Sequence, residues 1–274
     1  MKAMIFAAGL GTRLKPLTDT MPKALVPIAG KPLIQHVSEK LVANGFDDIT
    51  VNVHHFADMI EEWGRDHAQT LGCQIHISDE RAALLDTGGG IRHATAMLKR
   101  DNAEQRFLIH NVDILSNVDL HDFWQAGASC DALLLVSQRE TQRYLIFDDN
   151  NRLVGWTNIK TGEVKTPYPC VREAFDPDYT APIDSYNVIT SPFFRPDGSG
   201  PYKLLAFAGI HQMSTRLLDR MTAWPEKYSI IDFYLSMCKE YDIKAYTHPS
   251  LRIMDVGKIG TLDQAAQFAE SLSK

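Results

Sequence analysis

The chain reads as an α/β protein, with a mostly parallel sheet flanked by helices and an antiparallel elaboration in its second half. Three observations carry that expectation. Through residue 137, apolar runs of strand length alternate with helical patterns, which demands parallel pairing with helices on both faces. The first run feeds a loop of more than twenty residues rich in Gly, Pro, Thr, Lys and Arg. Beyond residue 138 the pattern turns to hairpins, beginning with RYLIFDDNNRLVGW, two strands joined by a DDNN turn. No internal repeat, low-complexity tract or linker interrupts the 274 residues, so one continuous domain over 1–274 is expected.

Taken in order, residues 3–8 form a short apolar run that reads as a buried strand. Residues 32–45 (PLIQHVSEKLVANG) carry helical periodicity, with proline at the first turn and glycine at the end. Residues 48–54 (DITVNVH) follow as a strand, 56–70 as a helix and 74–78 as a third strand. A glycine-rich loop, LLDTGGG, then leads into a helix over about 91–98. Residues 107–112 and 132–137 are the next two strands. In the second half, 157–202 is rich in Pro, Asp, Thr and Tyr and resists assignment. KLLAFAGIHQM resumes as a strand, 229–241 as an amphipathic helix, 243–247 as a short strand and 261–272 as the last helix.

Composition excludes several functional classes. The net charge is -6, whereas a duplex-binding surface needs a concentrated basic patch. The apolar run near the N-terminus is broken by glycines after six residues, too short for a secretory signal. No run approaches the ~20 apolar residues of a membrane span. Cys73, Cys130, Cys170 and Cys238 are scattered without a C-x-x-C, as expected of free thiols in a reducing cytoplasm.

Arg13, Lys15, Lys23 and Lys31 stand out against this acidic background, all within the loop FAAGLGTRLKPLTDTMPKALVPIAGKP. Two glycines and several cations after a strand point to a polyphosphate. Glycines let backbone N–H groups reach phosphate oxygens without a Cβ in the way. Arg13 offers a planar fork and Lys23 a mobile point charge. Pro16, Pro22 and Pro27 restrict a loop that would otherwise lose much entropy on ordering. The string G-x-x-x-x-G-K-[ST] of a P-loop is absent, and the dinucleotide fingerprint fails because Leu14 stands where its third glycine belongs.

What remains, G-x-G-T-R-x-x-P followed by P-K, resembles the signature of the sugar-1-phosphate nucleotidyltransferases. The similarity extends over nearly the whole chain except residues 157–202. It implies a Rossmann-like nucleotide-diphospho-sugar transferase fold, with a nucleotide-binding half over 1–137 and a sugar-binding half over 138–274. The implied reaction is attack by a sugar-1-phosphate oxygen on the α-phosphorus of a nucleoside triphosphate. A nucleotide sugar and pyrophosphate result, without a covalent intermediate. Bringing two anions together rests on positioning and electrostatics. By the same resemblance, Arg13 holds the β,γ-phosphates and Lys23 the α-phosphate. Gly11 and Thr12 belong to the phosphate loop, and the backbone at Ala8 and Gly9 lines the base.

Two anions repel, so a hard divalent cation, Mg²⁺, is expected, held by one or two carboxylates plus substrate phosphates. Asp113 ends the strand FLIHNVD, where open α/β sheets gather ligands. The family places a metal aspartate there, and Asp255 in IMDVGKIG resembles its second. The departures are Val112 in place of a glycine and Lys258 in place of a threonine. Asp86, Asp119 and Asp122 read as local caps or solvated charges. His54 and His55 are adjacent and would face opposite ways, while His110 and His211 read as core or supporting residues.

LLDTGGGIRHA resembles the L-x-T-G-G-G-I of uridylyl- and guanylyltransferases, which implies that Thr87, Gly88 and Gly89 face the base. With FAGIHQM and DVG it looks most like the N-acetylmuramate-1-phosphate uridylyltransferases of cell-wall recycling, although mannose-1-phosphate guanylyltransferases share much of it. UTP is therefore the favoured triphosphate, with a sugar 1-phosphate as second substrate. No E-K-P occurs between residues 138 and 210 to anchor the sugar phosphate. Lys160, Lys165, Arg172, Glu173, Lys203, Tyr144 and Trp156 are the nearest candidates, and the sugar-binding residues stay unassigned. Three alternatives stand beside this reading: transfer to another phosphorylated small molecule, a non-catalytic nucleotide-binding homologue, and a glycosyltransferase. The last commonly uses D-x-D, which occurs here as Asp176-Pro177-Asp178, far from Asp113.

Overall fold

The computed structural model describes residues 1–101, 103–175 and 201–272. Strand β1 (Lys2–Phe6) runs into the long loop, which closes on a small ribbon of β2 (Pro27–Ile28) and β3 (Lys31–Pro32). Between these two strands Ala29 and Gly30 both take positive φ, the twist a two-residue turn requires. Helix α1 (Leu33–Ala43) follows, ended by Gly45 at φ 82, then β4 (Asp48–Val53), α2 (Ala57–Leu71) and β5 (Gln74–Asp79). Next come α3 (Asp86–His93), α4 (Thr95–Lys99), β6 (Arg106–Asn111), the short β7 (Ile114–Ser116), α5 (Leu120–Ala126) and β8 (Ala132–Ser137).

The second half opens with the hairpin of β9 (Arg143–Phe147) and β10 (Leu153–Asn158), extended by β11 (Glu163–Lys165) and followed by α6 (Pro169–Ala174). The long strand β12 (Lys203–Ser214) leads to α7 (Thr215–Met221), α8 (Ile230–Met237) and β13 (Ile243–Tyr246). Strand β14 (Ile253–Asp255) and α9 (Leu262–Leu272) complete the described order.

Among the described residues ten strands join in one mixed sheet. Its parallel core is β6-β1-β4-β5, in register from Lys2 opposite Asp48 to Phe6 opposite Asn52. Strand β12 lies antiparallel against β6 and against β8, and its first residues pair with β9. The expected strand over 132–137 is present, but it does not extend the parallel run. It is separated from the core by β12, and its own parallel partner is β13. Alternation of apolar runs reports burial on both faces and is blind to strand direction.

Side chains alternate across the sheet. Ala3 and Ile5 face a core shared with α1, α2, α5 and α9, while Met4 faces one shared with α3, α4, α7 and α8. A third, smaller cluster joins Ile146 and Val154 to Val171 of α6. With both faces covered, the open edge for a ligand is at the carboxyl ends of the parallel strands. Phe6, Val53, Asp79 and Asn111 all end there. Among the described residues no helix is long and apolar enough to cross a membrane, and all four cysteines are free.

Candidate active site

The loop after β1 is ordered by three short 3₁₀ turns, Thr12–Leu14, Leu17–Asp19 and Lys23–Leu25. Leu14, Ala24, Val26 and Ile28 drop from it into the core and tie it to the sheet. Gly11 must be glycine for two reasons: its φ is 63, and a Cβ there would meet Thr18 Cγ2 at 2.8 Å and Lys23 Cβ at 3.1 Å. The Thr18 hydroxyl donates to the Gly11 carbonyl at 2.9 Å, closing the loop on itself. Around Gly9 the space is open, with no described residue other than its chain neighbours within 4 Å of where a Cβ would stand. Thr12 and Arg13 are exposed on the same rim.

Lys23 is buried, and its Nζ forms an ion pair with Asp113 Oδ2, two residues beyond the end of β6. Lys15 and Lys31 do not join it. They make surface pairs with Asp19 and Glu39. Asp255 reaches the site by a different route. The ribbon of β7 and β14 sets Asp255 opposite Ile114, and the Val256 N–H donates to the Asp113 carbonyl at 2.8 Å. A Cβ on Gly257 would lie 2.7 Å from both Arg13 Nη2 and Asp255 Oδ1, so guanidinium and carboxylate close on one point. The structure thus brings Arg13, Lys23, Asp113 and Asp255 together from three parts of the sequence.

Asp113 and Asp255 give oxygen donors only, partly open to solvent, with Asp255 on the ribbon and Asp113 immediately ahead of it. That donor set suits a hard cation, whose remaining positions phosphate oxygens and water would fill. Among the described residues, no group of three His, Cys, Asp or Glu side chains is placed to hold a metal. His54 and His55 diverge: His54 Nδ1 lies 2.7 Å from the Glu80 carbonyl, and His55 packs on Phe56. His110 and His211 are buried, and desolvation holds them neutral, down to about 4 and about 3. Asp119 caps α5 by accepting from the Asp122 N–H at 2.9 Å, and Asp86 accepts from the Thr87 N–H at 2.6 Å.

The triglycine is the first turns of α3, not a loop ahead of the helix. The Gly88 and Gly89 N–H groups donate to the Tyr228 carbonyl at 2.9 and 3.3 Å. The Thr87 hydroxyl accepts from the Ile230 N–H at 2.9 Å. A Cβ on Gly88 would strike the Tyr228 ring at 2.3 Å, and one on Gly89 the Glu226 carbonyl at 2.1 Å. In this arrangement the glycines seat the chain at 226–230 against α3. Glycines between an acidic turn residue and an apolar run read as a loop from sequence; close tertiary packing overrides that propensity.

Sequence reasoning missed a clamp behind the loop. Buried Asn52 of β4 accepts from the Ala7 and Ala8 N–H groups at 2.7 and 3.3 Å and donates to Glu80 Oε1 at 2.8 Å. Glu80 is buried beside Gly90, whose missing Cβ leaves room for both side chains, and burial raises its pKa. The available signal was Asn52 itself, a polar residue in the middle of an apolar strand. Of the sugar-side candidates, Lys165 pairs with Asp232 and lies 5.2 Å from the Trp156 ring centroid. Lys203 donates to Asn151 at 2.9 Å, and the Tyr144 hydroxyl accepts from the Thr141 N–H. Lys160, Arg172 and Glu173 are exposed, and Asp176-Pro177-Asp178 lies outside the described residues.

Residues 2–145 match the family model described as Nucleotidyl transferase. The N-acetylmuramate alpha-1-phosphate uridylyltransferase of Caulobacter vibrioides is 38% identical over 209 residues, 74% of this chain and 81% of that protein. A mannose-1-phosphate guanyltransferase of Gibberella zeae is 32% identical over 53% of this chain and 40% of its own length. Among solved structures, a putative glucose-1-phosphate thymidylyltransferase from Bacillus anthracis superimposes with a TM-score of 0.71 at 15% identity. That match covers 98% of this chain and 95% of the other, and it speaks for the fold. With more than half its length on the family model and a close relative over most of it, this chain belongs to the nucleotidyl transferase family and is a sugar-phosphate nucleotidyltransferase.

Proposed function

We propose that the enzyme condenses UTP with N-acetylmuramate 1-phosphate to give the UDP-sugar and pyrophosphate. The observation that carries the chemistry is the convergence of Arg13, Lys23, Asp113 and Asp255 on one rim of the sheet. The choice of base and sugar is supported by the 38% identity to the Caulobacter enzyme across most of both chains. In this reading a phosphate oxygen of the sugar 1-phosphate attacks the α-phosphorus. The bond from that phosphorus to the oxygen bridging the β-phosphate breaks, and pyrophosphate leaves with that electron pair. Arg13 holds the β,γ-phosphates and Lys23 turns from Asp113 toward the α-phosphate. A Mg²⁺ ion on Asp113 and Asp255 would neutralise charge on the phosphates.

Gly9 and Gly11, with Thr12, leave the loop backbone free to meet phosphate, and the backbone at Ala8 and Gly9, braced by Asn52, lines the base. Thr87, Gly88 and Gly89 act on the base pocket by fixing the 226–230 wall on α3. The free cysteines suit a cytoplasmic setting. A second reading, GTP with mannose 1-phosphate, is favoured by the Gibberella relative.

Pyrophosphate release in a matrix of triphosphates and sugar 1-phosphates with Mg²⁺ separates the two. Release that needs both UTP and N-acetylmuramate 1-phosphate supports the first reading, and release confined to GTP with mannose 1-phosphate replaces it. A protein that binds a triphosphate and turns over no pair refutes both.

A further inference from the structure

A second cationic cavity lies behind the catalytic rim, between α1, β7 and α9. It encloses about 410 Å³ and is lined by His36, Lys40, His110, Ser116, Arg252 and Ser271 among others. Lys40 is its centre. The ammonium donates to the Ser116 carbonyl at 2.6 Å and reaches the Ser116 hydroxyl at 3.3 Å. No carboxylate among the described residues pairs with it. Glu39, the acidic group in the lining, is taken by Lys31 and Gln35. Burial draws the Lys40 pKa down to about 8, against the weaker pull of the Asp119 carboxylate, which makes no direct contact with it. A buried ammonium in this position is stabilised by an anion.

Arg252 adds a second cation at the edge, its guanidinium 3.3 Å from the Ser271 hydroxyl and without a carboxylate partner among the described residues. On the floor is the fully buried His110, on the same face of β6 as the core beneath α1. Its Nδ1–H donates to the Asn111 carbonyl at 2.8 Å, which leaves Nε2 as an acceptor, and that nitrogen has no partner among the described residues. The lining therefore offers cations for an oxyanion and an acceptor for a hydroxyl proton.

We propose that this cavity is a second binding site, for a phosphate carrying a hydroxyl donor, either hydrogen phosphate itself or a hydroxylated phosphate monoester. Its reach to the catalytic rim is short. Lys40 grips Ser116, the last residue of β7, and the first residue of β7 pairs with Asp255 beside Asp113. A ligand that pulls the ammonium from Ser116 acts on the ribbon that carries Asp255 and begins directly after Asp113. The site stands independently of which sugar the enzyme uses.

The test is an amide NMR titration of the full chain with inorganic phosphate, repeated with glucose 6-phosphate as the monoester. Phosphate is expected to move two separate sets of signals, one at Gly9–Lys23 and one at Ser116, Asn117 and Ser271. Response of the second set to phosphate alone assigns free phosphate as the ligand, and response to both probes assigns the wider class. Lys40→Met is expected to weaken the second set about tenfold while the first titrates as before, which also reports that the variant is folded. Arg252→Gln, at the exposed edge, is expected to weaken the same set several-fold and does not disturb the Lys40–Ser116 contact. Shifts confined to Gly9–Lys23, or a second set unchanged in both variants, overturn the proposal.

Discussion

Lys23 and Asp113 are paired across the mouth of the site, joining the third turn of the loop to the end of β6. A cation assigned to the α-phosphate and a carboxylate assigned to a metal therefore neutralise each other in this structure. Removing either alone leaves a partly buried charge uncompensated. Lys23→Met and Asp113→Asn are each expected to lower stability by roughly 1–3 kcal/mol and turnover at least a hundredfold. The double variant is expected to recover much of the stability and none of the activity. Urea unfolding beside a pyrophosphate assay checks this; additive stability losses in the double variant would show that the pair is not coupled.

Gly257 separates the Arg13 guanidinium from the Asp255 carboxylate, and a methyl group there would meet each at 2.7 Å. The long arginine can swing aside, so little stability should be lost, but both charges would be displaced by a fraction of an ångström or more. Gly257→Ala is expected to cost at least tenfold in kcat/KM with an unchanged melting temperature. Unchanged kinetics would mean that Arg13 works from another rotamer.

Gly89 faces main chain instead of a flexible side chain. A Cβ 2.1 Å from the Glu226 carbonyl cannot be accommodated without moving the 226–230 segment off α3. Gly89→Ala is expected to destabilise the fold by roughly 1–3 kcal/mol. Faster hydrogen exchange at the Gly88 and Ile230 amides, whose acceptors are Tyr228 and Thr87, would locate the damage. Wild-type exchange at both would place the cost elsewhere.

Asn52→Leu removes the acceptor shared by the Ala7 and Ala8 N–H groups and strands Glu80 without its amide partner. The expected outcome is a KM for the triphosphate raised about tenfold, with a smaller change in kcat, since in the proposed reading the clamp lies under the nucleotide. Steady-state kinetics in the triphosphate decide it; an unchanged KM would reduce Asn52 to a core residue.

Acid should destabilise the protein through its buried histidines. His211 is neutral in the fold, its pKa lowered to about 3 by burial, with Nδ1 2.7 Å from the Tyr234 hydroxyl. A folded pKa below the unfolded one gives stability that is present above about pH 6.5 and drains away as pH falls toward 3. His110, lowered to about 4, acts in the same sense. His211→Gln is expected to flatten the acid limb by up to about 1.4 kcal/mol per pH unit. Urea midpoints at pH 7.5, 6.5 and 5.5 measure it, and parallel limbs would contradict a buried neutral His211.

Much of this was legible because it is local. The apolar runs of β1, β4 and β5 and the cap chemistry of α1 sit in contiguous residues, and so does the loop from Gly9 to Lys23. What escaped was set by tertiary neighbours. Strand β8 looks like any buried strand until β12 is seen lying between it and β6. The triglycine reads as a loop until Tyr228 and Glu226 supply the reason for its missing side chains. The Asn52–Glu80 clamp and the Lys40–Ser116 contact are relations between distant residues, and one side chain of a pair gives no sign of the other.

The ribbon of β7 and β14 has a consequence for synthesis. One of its strands is drawn from mid-chain and the other from shortly before α9, so a chain emerging from the ribosome can fold its parallel core long before Asp255 exists. At about 5–20 residues per second, several seconds pass in which a nascent chain carries Arg13, Lys23 and Asp113 without the second carboxylate. A fragment stopped ahead of β14 would hold the loop from Gly9 to Lys23 and lack Asp255. The zipping of two three-residue strands thus assembles the charge constellation only after Asp255 has been made.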